Sequence, residues 1–247
     1  MIEQAVILAA GKGTRLRESD DALPKPLHTV GGVPLIKRVL LSLAAAGIKR
    51  VIVVTGFMAE QIRGTVSGDP AYAEAGVSVE FVHNPDFDKA NGISVLVGGK
   101  VAAGPFVLSM ADHIYEPAIA KLVASQDLKA ADLYLATDPR VADVLDIDDA
   151  TKVQTDGLRI LDIGKKISEY NRIDCGVFVV SQRLVEILGE LREERGDCSL
   201  SEGVKQLALA GRARIADIGD GFWQDVDTPA DREHAERLLA AKRPGPR

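Results

Sequence analysis

Cysteine, histidine and aromatic residues are scarce in this chain, and each scarcity removes a class of function. Cys175 and Cys198 are the only two cysteines in 247 residues. They are too few for a disulfide framework and lack the paired spacing of a zinc site, so free thiols in a reducing compartment are expected. The four histidines, His28, His83, His113 and His234, are dispersed and give no basis for a histidine metal centre. Aromatic residues make up 4% of the chain, which counts against a pocket that holds a cationic amine by cation–π contacts. No segment approaches the roughly 20 apolar residues of a membrane-spanning helix. The start, Met1-Ile2-Glu3-Gln4, lacks the basic region of a secretory leader, so a cytoplasmic location without membrane insertion is expected. A net charge of −6 provides no general basic field, which disfavours a nucleic-acid partner. No Gly-x-Ser-x-Gly elbow occurs, in keeping with chemistry that uses no enzyme nucleophile.

Apolar residues make up 46% of the chain, enough for a sizeable core. In the first half, strand-like runs at 5–9, 50–55, 78–83 and 105–110 alternate with helical patterns at 34–46, 58–65 and 116–125. Such alternation predicts βαβ units and a mostly parallel sheet. Val51-Ile52-Val53-Val54 is apolar throughout, as expected of a strand covered on both faces. After about residue 130 the runs at 131–137, 144–148, 152–155, 158–163 and 175–181 follow one another without a helix between each pair. They predict a small antiparallel β annex. Helices at 182–194 and 200–210, a strand at 214–218 and a helix from Thr228 complete the pattern. Thr228 suits an N-cap and Pro229 a first helical position. The expected fold class is α/β: a Rossmann-like, mostly parallel central sheet flanked by helices, with the annex added, in a single domain over 1–247. The two prolines of 242–247 mark a frayed tail.

The densest chemical signal is Leu8-Ala9-Ala10-Gly11-Lys12-Gly13-Thr14-Arg15-Leu16, followed by Pro24-Lys25-Pro26-Leu27. A strand running into a glycine-bearing loop lets backbone amides approach a phosphate closely. Lys12, Arg15 and Lys25 add cations suited to a nucleoside triphosphate. The spacing is not that of a Walker A loop. It is also not the dinucleotide fingerprint, because Leu16 stands where the third glycine or alanine belongs. Residues 17–23, charged and without apolar periodicity, are expected to be mobile until nucleotide binds.

Chemistry at a nucleoside triphosphate calls for a divalent cation, and hard cations take carboxylate ligands. Asp112 follows the apolar run Phe106–Met110 and so falls at the carboxyl end of a central strand, where open α/β sheets place ligands. Asp225 and Asp227, two apart, share one side of an extended segment. Asp225 is the preferred metal ligand beside Asp112, with Asp227 as a cap of the last helix or a supporting group. His113 adjoins this point. Asn84, Asn91, Gly92 and Ser94 lie in a polar, turn-rich segment that offers amide, backbone and hydroxyl groups to a base or ribose. Lys165 or Lys166 is a candidate for an acceptor phosphate, and Asp174 for acceptor hydroxyls. Each of these also admits a plain turn, cap or solvated-hairpin explanation.

The N-terminal blocks resemble the nucleotidyltransferases that make NDP-sugars and related activated alcohols. Asn91-Gly92-Ile93-Ser94, Ala111-Asp112-His113, Ile163-Gly164-Lys165, Tyr170-Asn171, Asp174-Cys175-Gly176 and Trp223 to Pro229 are similar to the inositol-1-phosphate cytidylyltransferase branch. The resemblance implies a nucleotide-diphospho-sugar transferase type of fold, with a nucleotide-binding half to about residue 130 and an acceptor-binding half over 131–241. It implies that Gly11, Gly13, Thr14 and Arg15 bind a triphosphate, with Ala9 and Ala10 near the base and Leu8 and Lys12 in the same loop. It further implies that Lys25 contacts the reacting phosphate, and that Asp112 and Asp225 hold Mg²⁺. The expected reaction is CTP with inositol 1-phosphate to give CDP-inositol and pyrophosphate. Ala111 departs from the family's Ser-Asp-His pattern, removing one hydroxyl. Family members are often fused to a membrane alcohol transferase; none is seen here, so a separate phosphatidyl-type transferase is the expected functional partner. A homodimer is left open. Alternatives are a hexose-1-phosphate nucleotidyltransferase using UTP or dTTP, a phosphocholine or aminoethylphosphonate cytidylyltransferase, and a nucleotide-sensing regulatory subunit that should lack some of these ligands.

Overall fold

A computed structural model describes residues 1–16 and 23–241. The segment expected to be mobile, apart from Leu23, and the expected frayed tail lie outside the described residues. The chain opens on β1 (Gln4–Ala9), after which Lys25–Leu27 make one 3₁₀ turn. A small hairpin, β2 (Thr29–Val30) and β3 (Val33–Pro34), leads into α1 (Leu35–Ala45). Next come β4 (Arg50–Thr55), α2 (Ala59–Ser67), α3 (Ala71–Glu74), β5 (Ser78–His83), α4 (Gly92–Ala102), β6 (Phe106–Met110), β7 (His113–Tyr115) and α5 (Pro117–Ala124). The second half holds β8 (Leu133–Asp138), β9 (Lys152–Asp156), β10 (Arg159–Gly164), β11 (Arg172–Val180), α6 (Gln182–Arg195), α7 (Leu200–Leu209), β12 (Ala213–Asp217), β13 (Trp223–Asp225) and α8 (Pro229–Ala241).

Nine strands form one sheet in the order β5-β4-β1-β6-β11-β8-β12-β10-β9. The first four are parallel, and β11 runs antiparallel between β6 and β8. The architecture is α/β, a Rossmann-like sheet flanked by helices, with small antiparallel additions. Alternate residues of β1 face opposite layers. Ala5, Ile7 and Ala9 join a core with Leu40 of α1 and Val123 of α5, while Val6 joins one with Leu96 of α4 and Leu188 of α6. Val51, Ile52, Val53 and Val54 are fully buried, as expected of a strand covered on both faces.

Three local expectations change. The polar segment around Asn91 runs straight into α4. Gly98, Gly99 and several valines give that helix a poor intrinsic propensity, but its glycines let it lie close to its neighbours. A Cβ on Gly98 would collide with Val6 and Val54, and one on Gly99 with Val185. Residues 144–148 form no strand; Leu145 is solvent-exposed and the segment turns toward Asp149. The annex is not wholly antiparallel, because β12 inserts parallel to β8 before β10 and β9 close the edge.

A third, smaller core positions the site. Val226 is fully buried with Leu16, Ile114, Phe222 and Ala235, which fixes the carboxylates on either side of it. Thr228 and Asp231 exchange hydrogen bonds at the start of α8, with the Thr228 hydroxyl donating at 2.8 Å. Among the described residues, no helix is long and apolar enough to cross a membrane.

Candidate active site

The carboxyl ends of β1 and β6, paired through Leu8 and Met110, open into a cleft of about 420 Å³. Three walls close it: the 11–15 loop, the 3₁₀ turn carrying Lys25, and the annex that brings Asp149, Lys165 and Asp174. Gly13 has φ of +57° and covers Lys25, so a Cβ there would run into the lysine stem. That close approach accounts for glycine at this position.

Lys25 is buried, and its ammonium donates to Asp112 Oδ2 at 2.5 Å and to Asp227 Oδ1. Burial alone would lower its pKa, but these two carboxylates outweigh it and raise the value. Arg15 donates to Asp227 Oδ2 at 2.8 Å and pairs with Asp149 Oδ2 at 2.5 Å. Asp149 in turn pairs through Oδ1 with Lys165 at 2.8 Å. An unbroken chain of alternating charges therefore runs from Lys165 to Asp112.

β7 and β13 form a short antiparallel pair that sets Asp225 opposite His113. His113 Nδ1 lies 2.7 Å from Asp112 Oδ1. Burial opposes the charged ring, but the Asp112 bond and the nearby Asp225 and Asp174 raise its pKa to about 9. His113 is therefore a cation near neutral pH. Burial would raise the Asp112 pKa, yet Lys25 and His113 hold it far below the usual carboxylate range. The His113 ring packs on Gly176, whose φ is +72° and whose Cβ would strike it. The ring also stacks on Trp223, with centroids 6.1 Å apart and planes 17° from parallel. The Trp223 N–H donates to Asp138 at 2.7 Å. Asp174 accepts the Gly176 N–H at 2.7 Å. Its pKa rises to about 6, because burial outweighs that bond and the charge on His113. Burial also raises Asp225 against the pull of His113, with Asp227, Asp231 and Asp112 adding repulsion.

Of the residues singled out in the sequence, Leu8, Ala9, Gly11, Gly13, Thr14, Arg15, Lys25, Asn91, Asp112, His113, Lys165, Asp174, Asp225 and Asp227 all line the cleft. Ala10 is buried and does not line it. Lys12 is half-exposed and pairs with Asp88. Asn84, Gly92 and Ser94 do not line it either. The Asn84 amide donates to the Ser94 hydroxyl at 2.9 Å, and its oxygen accepts the Asp86 N–H at 2.9 Å. Gly92 is pressed against the Cys198 backbone. Asn84 and Ser94 thus hydrogen-bond internally, and Gly92 lets α4 lie close to the Cys198 backbone. Asn91 spends its side-chain oxygen on the Leu200 N–H at 2.9 Å, leaving its amide nitrogen for a ligand.

The MobA-like NTP transferase domain matches residues 5–210. The chain belongs to this family. A bifunctional IPC transferase and DIPP synthase of Rubrobacter xylanophilus is 34% identical over 240 residues, covering 95% of this chain and 51% of that protein. A CMP-5'-(3-aminopropyl)phosphonate synthase of Streptomyces rubellomurinus is 31% identical, covering 94% and 38% respectively. The inositol-1-phosphate CTP transferase from T. maritima has a similar structure, with a TM-score of 0.84 at 28% identity over 97% of this chain and 95% of that one. The chain spans about half the length of the bifunctional relative it matches.

The family is one of NTP transferases, whose substrates include a nucleoside triphosphate. Such a family also implies a divalent cation, and the donor set fits one. Among the described residues, the hydrogen bond to the Asp225 carboxylate comes from Gln224 at a long 3.1 Å. Asp225 is partly buried, and desolvation together with the neighbouring carboxylates raises its pKa against the pull of His113. Among the described residues no three such side chains form a self-sufficient metal cage. Mg²⁺ is usually held by one or two carboxylates together with substrate phosphates.

Two contributors escaped sequence reasoning. Asp149 sits in the acidic run Asp146-Ile147-Asp148-Asp149, where no single carboxylate stands out. Trp223 lies in a noticed motif, but only the fold reveals its stacking on His113.

Proposed function

We propose that this chain is a Mg²⁺-dependent cytidylyltransferase that converts CTP and inositol 1-phosphate to CDP-inositol and pyrophosphate. The observation that carries this reading is the convergence of Lys25, Arg15 and Lys165 from three walls onto one carboxylate-lined cleft at the end of β6. The similarity to the inositol-1-phosphate CTP transferase and to the bifunctional IPC transferase supports the acceptor.

A phosphate monoester has a second pKa near 6 and is largely dianionic at neutral pH. Its oxygen attacks the α-phosphorus of CTP in line with the departing pyrophosphate, and no enzyme base is needed to deprotonate it. The barrier is one of positioning and of bringing anions together. Gly11, Gly13, Thr14 and Arg15 bind the triphosphate, with Ala9 beside the base. Lys25 meets the reacting phosphate, Lys165 holds the acceptor phosphate, and Asp174 accepts an acceptor hydroxyl. Asp112 and Asp225 would hold Mg²⁺, while Asp227 keeps Lys25 and Arg15 in place. When bound, the ion neutralises phosphate charge. His113, charged and locked by Asp112 and Trp223, adds a fixed cation beside Asp225. The product would serve a membrane alcohol phosphatidyl-type transferase, and the enzyme would act in the cytoplasm.

The test is pyrophosphate release with Mg²⁺, crossing CTP, UTP, dTTP, ATP and GTP with inositol 1-phosphate, glucose 1-phosphate, phosphocholine and aminoalkylphosphonates. Release confined to CTP with inositol 1-phosphate is the expected result. Release with CTP and an aminoalkylphosphonate would keep the nucleotide and replace the acceptor. Release with UTP or dTTP and a hexose phosphate would overturn both.

A further inference from the structure

Asp149 has a place in the cleft that the chemistry above does not use. Among the described residues it is the one carboxylate joining Arg15, on the nucleotide side, to Lys165, on the acceptor side. Its two oxygens are divided between them, at 2.5 Å and 2.8 Å. The backbone beneath it is tethered. The Asp149 N–H donates to Asp146 Oδ1 at 3.2 Å, and the Ala150 N–H to the Asp146 carbonyl at 3.0 Å. Two residues on, the Thr151 carbonyl accepts the Asp174 N–H at 2.9 Å. Burial disfavours the Asp149 charge, but Lys165 and Arg15 hold the pKa down to about 2. The group is thus an anion across the working pH range, sited between the two cations assigned above to the substrate phosphates.

We propose that Asp149 is a positioning residue that couples the two substrates: its carboxylate bridges Arg15 and Lys165, and a phosphate arriving at either cation displaces it from both. The inference rests on the assignment of Arg15 to the triphosphate and Lys165 to the acceptor phosphate. A phosphate on Arg15 places negative charge beside the carboxylate and weakens its hold on Lys165. The first ligand bears the cost of opening the bridge, and the second meets a cation already released. Such coupling is reciprocal by linkage, so each ligand must tighten the other by the same factor. Without the bridge, each ligand alone should bind more tightly and the coupling should fade.

Exposed ion pairs are individually weak, and Arg15 and Lys165 are about half exposed. The expected effect of opening both is therefore about three- to tenfold in affinity. The experiment uses calorimetry on the native enzyme, Asp149→Asn and Asp149→Glu. The probes are Mg²⁺–pyrophosphate, α,β-methylene-CTP and inositol 1-phosphate. In the native enzyme the CTP analogue should tighten inositol 1-phosphate by about three- to tenfold. Asp149→Asn should bind pyrophosphate more tightly by a similar factor and lose that coupling, whereas Asp149→Glu should retain both native properties. Weaker or unchanged pyrophosphate binding in Asp149→Asn, or coupling that persists in it, would overturn the proposal. The pyrophosphate arm is independent of base and acceptor. If neither organic ligand binds but Asp149→Asn still tightens pyrophosphate, the cytidylyltransferase reading fails and the displacement of Asp149 stands.

Discussion

Replacing Lys25 with methionine keeps the stem that packs under Gly13 and removes only the ammonium. Two carboxylates then lose their shared cation. Losing one partner of a fully buried pair costs about 3–5 kcal/mol. Asp112 and Asp227 keep 28% and 21% side-chain exposure, and Asp112 retains His113, so a loss of about 2–3 kcal/mol is expected after that discount. For a chain of this size that is a fall in Tm of about 5–10 °C. Mg²⁺ should recover more stability in Lys25→Met than in the native protein, because a cation can take the carboxylates that Lys25 releases. Turnover should drop by about 10²–10³, as when one electrostatic stabiliser is lost. The pH dependence has a definite sign. The Lys25 pKa is raised by folding, so its contribution is complete below the unfolded value and is lost only as pH climbs through the higher folded one. The Asp112 pKa is depressed, so its contribution holds above the unfolded value of about 3.9 and is lost as pH falls below it. Lys25→Met should therefore narrow the stability difference as the solution is acidified. Calorimetric melts from pH 3 to 11, with and without Mg²⁺, together with a turnover assay, measure these effects. A variant that melts like the native protein at every pH, with normal turnover, would refute the placement of the Lys25 charge.

Asp112→Ala should fold yet lose turnover by about 10²–10³ or more; near-native turnover in a folded sample would remove Asp112 from the metal site. Gly176→Ala should be strained by its positive φ and should push His113 off Trp223, lowering Tm by several degrees at a cost of about 1–3 kcal/mol. A crystal structure or melt showing an undisturbed His113 would contradict that packing. For Asp138, burial is outweighed by Arg140 and Trp223, so its pKa is lowered. Its contribution is present above about pH 3.9 and lost on acidification, so Asp138→Asn should flatten the acid side of the stability curve, as read by chemical denaturation at several pH values.

The parallel half of the fold was legible in the sequence because runs such as 51–54 are apolar on both faces and α1 repeats its buried residues, Leu35, Ile36, Val39, Leu40 and Leu43, at helical spacing. α4 was hidden because its glycines and valines weaken local propensity, and only packing against Val6 and Val185 explains them. β7 and β13 were too short to leave a periodic signal, yet they set Asp225 against His113. The glycine loop, Lys25 and Asp112 stood out because their residue types imply phosphate and cation chemistry wherever they fall. Asn84 and Ser94 misled for the converse reason: a polar group announces a hydrogen bond, and its partner here is internal. Asp149 had no local mark, since its importance comes from Arg15 and Lys165, which are far from it in sequence.

The most direct test is a turnover with CTP and inositol 1-phosphate whose non-ester phosphate oxygens are all oxygen-18, read by mass spectrometry of both products. Attack of the acceptor phosphate on the α-phosphorus predicts CDP-inositol that retains every labelled oxygen and pyrophosphate that carries none. Label in the pyrophosphate, or the absence of any labelled CDP-inositol while pyrophosphate is released, would contradict the account.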